Sequence, residues 1–193
     1  MSTNLHAPDQ AVTDAQAALN YLKEGNKRFT TNSAMARDTN KADINVTKDG
    51  QKPFAVILTC ADSRVSPEIY FDQKIGDIFT IRNAGNFAGR DAQGSIEYAV
   101  EHLHSPLVVV TGHTKCGAIS AAFDKASGLS DNLQGLIDNI QSKIDKCTSK
   151  EDAVITNVEV QVETLKNNPV IKKMNATVVG AEYDISTGEV KFL

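Results

Sequence analysis

Hydrophobic positions follow two different periods along this chain. Between residues 14 and 29, Ala15, Ala18, Leu19, Leu22 and Phe29 recur at helical spacing, with Thr13 or Asp14 placed to cap the start. Residues 31–50 are polar and without period, and the stretch runs into Asp49-Gly50-Gln51-Lys52-Pro53. This predicts a loop or an extended arm. From Phe54 the pattern changes to short apolar runs separated by turn residues. FAVILTC (54–60) reads as a strand buried on both faces, and SPEIYFDQ (66–73) as a short helix with Ser66 at its cap and Pro67 at the first helical position. DIFTIRN (77–83) is a second strand, NAGNFAGRDAQG (83–94) a glycine-rich turn, and SIEYAVEHL (95–103) a helix. PLVVVTGH (106–113) is a third strand, and TKCGAISAAFDKA (114–126) opens a further helix. Strands alternating with helices imply right-handed βαβ crossovers and a parallel sheet, whose sites gather at the carboxyl ends of the strands.

The second half is less regular. Leu133, Leu136, Ile137, Ile140 and Ile144 mark a helical face over 131–146. Residues 150–168 fit two templates. Val158, Val160 and Val162 alternate as in a strand, while Val154, Val158, Val162 and Leu165 fit a helix with Ser149 and Asp152 as a capping box. Length and flanking charges favour the helix, with Asn168-Pro169 as its stop. ATVVGAEYDISTGEVKFL then reads as a strand, a turn at 186–188 and a final strand. The expected fold is α/β: a mainly parallel sheet flanked by helices, with an antiparallel C-terminal edge strand and an N-terminal helical arm. It forms one domain over 1–193, with the helix and arm in 1–50 and the core in 51–193.

Composition narrows the function classes. The chain has 193 residues, long enough for a full core, and a net charge of −4 with no basic stripe to neutralise nucleic-acid phosphates. Lys27-Arg28 and Lys172-Lys173 are isolated and read as solvated helix ends. Three widely separated cysteines make no disulfide framework. No run approaches the roughly 18 apolar residues of a membrane span. The stretch MSTNLHAPDQAVTDAQ, which holds His6, lacks the basic start and apolar run of a leader. A cytoplasmic protein is expected, although a secreted chain whose leader had been removed would show the same pattern.

Two strand ends carry unusual chemistry. The first delivers Cys60, Asp62 and Arg64, and the third delivers Gly112, His113, Cys116 and Gly117. If the strands are neighbours, Cys60, His113 and Cys116 converge, with the i, i+3 spacing placing His113 and Cys116 on one helical face. Two thiolates and an imidazole select zinc, and three protein ligands with an open fourth position mark a catalytic site. Asp62 and Arg64 fall on one side of an extended segment and suit a bidentate ion pair. Each half also has a plainer reading, Cys60 as an inert core thiol and His113-x-x-Cys116 as a chance pair, and both readings stand on spacing alone. Cys147 has no partner motif. His102 and His104 read as surface or cap residues.

At these residues the chain resembles the β-class carbonic anhydrases. The likeness runs from about Leu19 to Ala121, through LKEGNKRF, GQKPFAVILTCADSRVSPEIYFDQ, GDIFTIRNAGN, GSIEYAVEHL and VVVTGHTKCGA, and is weaker beyond. It implies reversible, zinc-dependent hydration of carbon dioxide to bicarbonate and a proton by attack of zinc-bound hydroxide, so a carbonate dehydratase with one zinc per chain. It implies Cys60, His113 and Cys116 as zinc ligands, and Asp62 as acceptor from the hydroxide or, in a closed form, as fourth ligand. Arg64 would hold Asp62 away from the metal. Gln51 would help bind bicarbonate across a dimer interface, Phe79, Ala84 and Tyr98 would line the apolar substrate pocket, and the Gly117 backbone would adjoin the site. The resemblance further implies a homodimer or dimer of dimers acting on carbon dioxide and bicarbonate, with no nucleic-acid or membrane partner. Thr59, Ser66 and Ala84 depart mildly from the family pattern, and none of them touches the metal set. Rival readings are a carbon disulfide or carbonyl sulfide hydrolase on the same scaffold, a non-catalytic zinc module, and a thiol enzyme using Cys60.

Overall fold

Residues 12–35 and 41–193 are described by a computed structural model. His6, in residues 1–11, and the part of the predicted arm at 36–40 lie outside the described residues. Helix α1 (Ala15–Thr30) is capped by Asp14, whose carboxylate accepts from the Gln16 and Ala17 amides at 3.0 and 3.3 Å. The stretch expected to be loop or arm contains a short helix, α2 (Lys41–Thr47). Its apolar residues Ile44 and Val46 both face solvent, so no buried periodicity announces it.

The core is a five-stranded sheet in the order β2-β1-β3-β4-β5. Strands β1 (Ala55–Cys60), β2 (Ile78–Asn83), β3 (Leu107–His113) and β4 (Thr177–Tyr183) run parallel, and β5 (Val190–Phe192) closes the edge antiparallel to β4. The expected α/β fold with its antiparallel edge strand is thus present. Between β1 and β2 lies α3 (Pro67–Tyr70). A 3-10 turn (Ala84–Asn86) and α4 (Arg90–Glu101) link β2 to β3. Helices α5 (Gly117–Phe123), α6 (Asp131–Ile144), α7 (Lys150–Lys166) and α8 (Pro169–Met174) follow β3.

Two boundaries differ from the sequence reading, and one two-way reading resolves to the favoured helix. Helix α4 begins at Arg90 and absorbs residues expected in the glycine-rich turn, with Gly89 as its cap. Residues 150–166 are helical, and the Ser149 hydroxyl accepts from the Asp152 amide at 3.0 Å as the capping box predicts. Asn168-Pro169 ends α7 but also starts α8, since the Asn168 side chain caps the Val170 and Ile171 amides and proline occupies a first-turn position that needs no donor.

Strand alternation divides the core. Ala55, Ile57, Leu107 and Val109 pack on one face with Leu22, Tyr70 and Phe71. Val56, Leu58, Val108 and Val110 pack on the other with Ile96, Val158 and Leu165. Burial on both faces is why these strands read as unbroken apolar runs. Helix α7 seats on the sheet through two glycines. A Cβ on Gly112 would come within 2.6 Å of Val158 Cγ2, and one on Gly180 within 2.9 Å of Val158 Cγ1. Gly112→Ala is therefore expected to overpack this contact and lower stability by about 1–3 kcal/mol. Urea denaturation checks this, and an unchanged midpoint would show that α7 can shift without cost.

Candidate metal centre

The centre is built where β1 and β3 end side by side. Pairing of Thr59 with Thr111 fixes their register, so Cys60 closes β1 while β3 runs on to His113. Beyond His113 the chain turns tightly, with Lys115 at φ 56°, and Cys116 forms the N-cap of α5. His113 and Cys116 thus meet through a turn between strand and helix, not on one helical face as the spacing suggested. All three residues are buried, and their potential ligand atoms lie within 4.8 Å of one another.

The arrangement fits a tetrahedral metal. The two sulfurs are 3.9 Å apart. An ion with sulfur ligands at about 2.3 Å would set them roughly 3.8 Å apart. His113 Nδ1 is 2.9 Å from the Thr114 carbonyl, which as an acceptor fixes the proton on that nitrogen and leaves the Nε2 lone pair available. Nε2 is fully buried yet has no hydrogen-bond partner among the described residues, a costly condition unless something coordinates it. Thr114 is itself held by the C-terminal hairpin: its amide donates to the Tyr183 carbonyl at 3.0 Å, and its hydroxyl accepts from the Ile185 amide at 3.1 Å.

Electrostatics point the same way. The Cys60 thiol is held well below the usual thiol range, chiefly by the hydrogen bond from Cys116, with His113 and the Gly85 and Asp62 amides adding to it against the opposing effect of burial. Those two amides each lie 3.4 Å from Cys60 Sγ. Cys116 moves in the opposite direction, because it donates to Cys60 and is buried. The pair thus surrenders one proton readily and retains the other. Burial disfavours a charged His113, but the sulfur of Cys60, the Thr114 carbonyl and the Asp62 carboxylate together raise its pKa.

Asp62 and Arg64 sit at the open side. They lie in a turn closed by the Val65 amide on the Asp62 carbonyl at 3.0 Å, not in the extended segment expected. The pair is nevertheless bidentate: Arg64 Nε donates to Asp62 Oδ1 at 2.9 Å and Nη2 to Oδ2 at 2.7 Å. The Arg64 amide adds a third donor at 3.0 Å. These bonds hold the Asp62 carboxyl well below the usual carboxylate range. Asp62 Oδ2 stands 3.9 Å from His113 Nε2, so the carboxylate flanks the ligand cluster while remaining paired with Arg64.

The other predicted site residues divide. Ala84 follows β2 directly, one residue beyond Asn83, the register partner of Cys60, and Gly117 follows Cys116. Both adjoin the centre. Phe79 pairs with Val56, four residues or about 13 Å upstream of Cys60 along the strand. With Tyr98, whose ring centroid lies 6.3 Å from its own, it lines an open groove of about 980 Å³ beside α4. Gln51 is exposed before the amino end of β1, at the opposite edge of the sheet. None of these three reaches the centre of its own chain.

Sequence reading missed several contributors. Arg82 Nε donates to the Cys60 carbonyl at 3.1 Å and its Nη2 to the Asp62 carbonyl at 2.7 Å, clamping the turn that carries both. Gly85, Asn157 and Gln161 form a buried polar chain behind Cys60. Arg82 and Gly85 fall inside the segment GDIFTIRNAGN without being singled out there, and no motif marks Asn157 or Gln161. An arginine late in a strand next to a functional strand end is the only signal that could have flagged Arg82.

A family model described as carbonic anhydrase matches residues 55–190. The chain is 48% identical over 110 residues to a protein named carbonic anhydrase 2 from Mycobacterium tuberculosis, covering 57% of this chain and 53% of that one. It is 32% identical over 164 residues to a carbonic anhydrase of Synechococcus elongatus, covering 73% and 60%. The matched region thus spans little more than half the length of these curated relatives. Among solved structures, a Coccomyxa β-carbonic anhydrase in complex with acetazolamide superposes with a TM-score of 0.71 at 30% identity, over 93% of this chain and 86% of that one. One of two tetrameric β-carbonic anhydrases from Sordaria macrospora gives 0.70 at 26% identity, over 92% and 97%.

Proposed function

Since this chain belongs to the β-carbonic anhydrase family, we propose that it is a carbonate dehydratase, a lyase that hydrates carbon dioxide reversibly to bicarbonate and a proton. The observation that carries this reading is the buried Cys60–His113–Cys116 cluster with an Asp62–Arg64 pair at its open side. Cys60, His113 and Cys116 would hold one zinc per chain, and a zinc ion bound there supplies the Lewis acidity that makes water a nucleophile near neutral pH. Asp62 stays ionised because Arg64 stabilises its charged form, and an ionised carboxylate only accepts hydrogen bonds. It therefore accepts a hydrogen bond from the attacking water and turns an oxygen lone pair towards carbon dioxide. Arg64 keeps Asp62 in that role, and Arg82 holds the turn in place. Ala84 and the Gly117 backbone offer a small, uncharged surface suited to a substrate that has no charge to grip.

The pH dependence follows from signs. With its pKa depressed, Asp62 loses its charge only in strong acid, so it does not set the acid limb of activity. A proton on His113, whose pKa is raised, competes for the nitrogen lone pair as pH falls. Two thiolates also cancel the formal charge of the ion and moderate its acidifying power. Stopped-flow hydration assays should show activity rising from neutral to alkaline pH and abolished by a zinc chelator. A profile peaking well below pH 7, or hydration insensitive to complete zinc removal, would overturn the assignment.

We further read the protein as a homodimer or dimer of dimers, in which Gln51, Phe79 and Tyr98 complete the pocket of a neighbouring subunit. Their distance from the centre of their own chain and the open groove beside α4 support this, as does the tetrameric state named for the Sordaria macrospora enzymes. Light scattering should give at least twice the chain mass, and a monomer at working concentration would refute it. The three unpaired cysteines suit a reducing compartment, and we place the protein in the cytoplasm. No helix among the described residues is long and apolar enough to cross a membrane.

A further inference from the structure

Behind Cys60 runs a chain of buried amides. Asn157 and Gln161 lie one helical turn apart on α7, 0% and 1% exposed, on the face that otherwise presents Val154, Val158, Val162 and Leu165 to the core. Asn157 Nδ2 donates to the Gly85 carbonyl at 3.0 Å. Gln161 Nε2 donates to Asn157 Oδ1 at 3.1 Å, and Gln161 Oε1 accepts from the Ala88 amide at 3.0 Å. The two side chains therefore grip both ends of the segment 85–88. Asn83 braces the same segment from inside, with its Nδ2 on the Phe87 carbonyl at 2.7 Å and its Oδ1 accepting from the Phe87 amide at 2.8 Å.

The segment needs this grip. Gly85 is left-handed, at φ 73°, and a Cβ there would meet Ile140 Cδ1 at 2.6 Å, so backbone alone fits between the metal ligand and α6. Its amide is one of two that point at Cys60 Sγ. Burying an amide costs least when its oxygen and nitrogen are both paired, and these two amides pair with each other and with a single backbone segment. An N–H aimed at a ligating thiolate withdraws electron density from sulfur and leaves more positive charge on the metal. For a centre with two thiolates this is a direct control on its acidity.

We propose that Asn157 and Gln161 are positioning residues of the metal centre, which act through the 85–88 segment to fix the Gly85 N–H on the Cys60 sulfur. The proposal rests on the reading that Cys60, His113 and Cys116 hold the metal. Cobalt(II) in place of zinc reports it, because the energy of the thiolate-to-cobalt charge-transfer band follows electron donation by sulfur. Asn157→Leu, nearly isosteric but without the amide, should move that band to lower energy and weaken metal retention against a chelator roughly tenfold. Gln161→Met, one bond further out, should move it in the same direction by less, and keeps the test open if Asn157→Leu does not fold. Ile171→Val, a core change in α8 remote from the centre, serves as the control and should leave the band in place. Folded, cobalt-loaded Asn157→Leu or Gln161→Met with an unchanged band and wild-type retention would overturn the proposal. A wild-type protein that takes up no cobalt, or shows no thiolate band, would instead overturn the assignment of the metal ligands.

Discussion

Cys60→Ser should leave a folded protein that retains no zinc through gel filtration and hydrates carbon dioxide no faster than buffer. The serine hydroxyl can still accept from the Asp62 and Gly85 amides that now reach Cys60 Sγ at 3.4 Å, so the turn keeps its hydrogen bonds. What it cannot supply is a soft anionic ligand, because a hydroxyl does not ionise near neutral pH as this thiol does. The loss in metal affinity should exceed about 100-fold, the most that loss of a supporting contact alone usually costs. Metal analysis by mass spectrometry, circular dichroism and stopped-flow assay together check it. A variant with one tightly bound zinc per chain and normal turnover would remove Cys60 from the ligand set.

Arg64→Ala should have the opposite metal phenotype and a similar loss of activity. Its side chain is largely outside the ligand cluster, so zinc should be retained at full stoichiometry. Asp62, however, loses both side-chain bonds that now hold it, and its Oδ2 already stands 3.9 Å from His113 Nε2. An unrestrained carboxylate at that distance can turn into the cluster and occupy the position meant for water. Hydration should fall by about 100-fold or more, the scale set by misplacing a group that orients the nucleophile. Near-normal turnover in this variant would show that Arg64 does not govern Asp62. The two variants separate the functions of adjacent residues, since one loses the metal and the other keeps it without using it.

The sheet and the ligand set were legible because both leave marks that survive in one dimension. A strand buried on both faces must be apolar throughout, so β1 and β3 stand out, and the chemistry at their ends breaks that pattern abruptly. What stayed hidden was polarity used inward. Asn157 and Gln161 face the core on α7, and any reading that sorts amides to the outside assigns them to solvent. The same valines also alternate, a pattern a strand shares, but Val160 is only half-buried while Val158 and Val162 are buried, as a helix requires. Gly94 and Gly89 made the start of α4 resemble a turn, although one lies inside the helix and the other caps it. Placement of Phe79 four residues before the end of β2 could not be weighed from sequence at all, because distance from the centre depends on register.

The hold of the C-terminal hairpin on Thr114 bears on how the protein is made. Cys60, His113 and Cys116 all leave the ribosome long before β4 and β5, and β1 and β3 can pair without them. Yet the carbonyl that sets the protonated nitrogen of His113 belongs to a residue anchored by Tyr183 and Ile185, the latter 71 residues further along the chain. A chain in which this hairpin had not yet docked would carry every ligand while lacking the brace that orients one of them, so metal capture would follow docking of the hairpin and would not nucleate the fold.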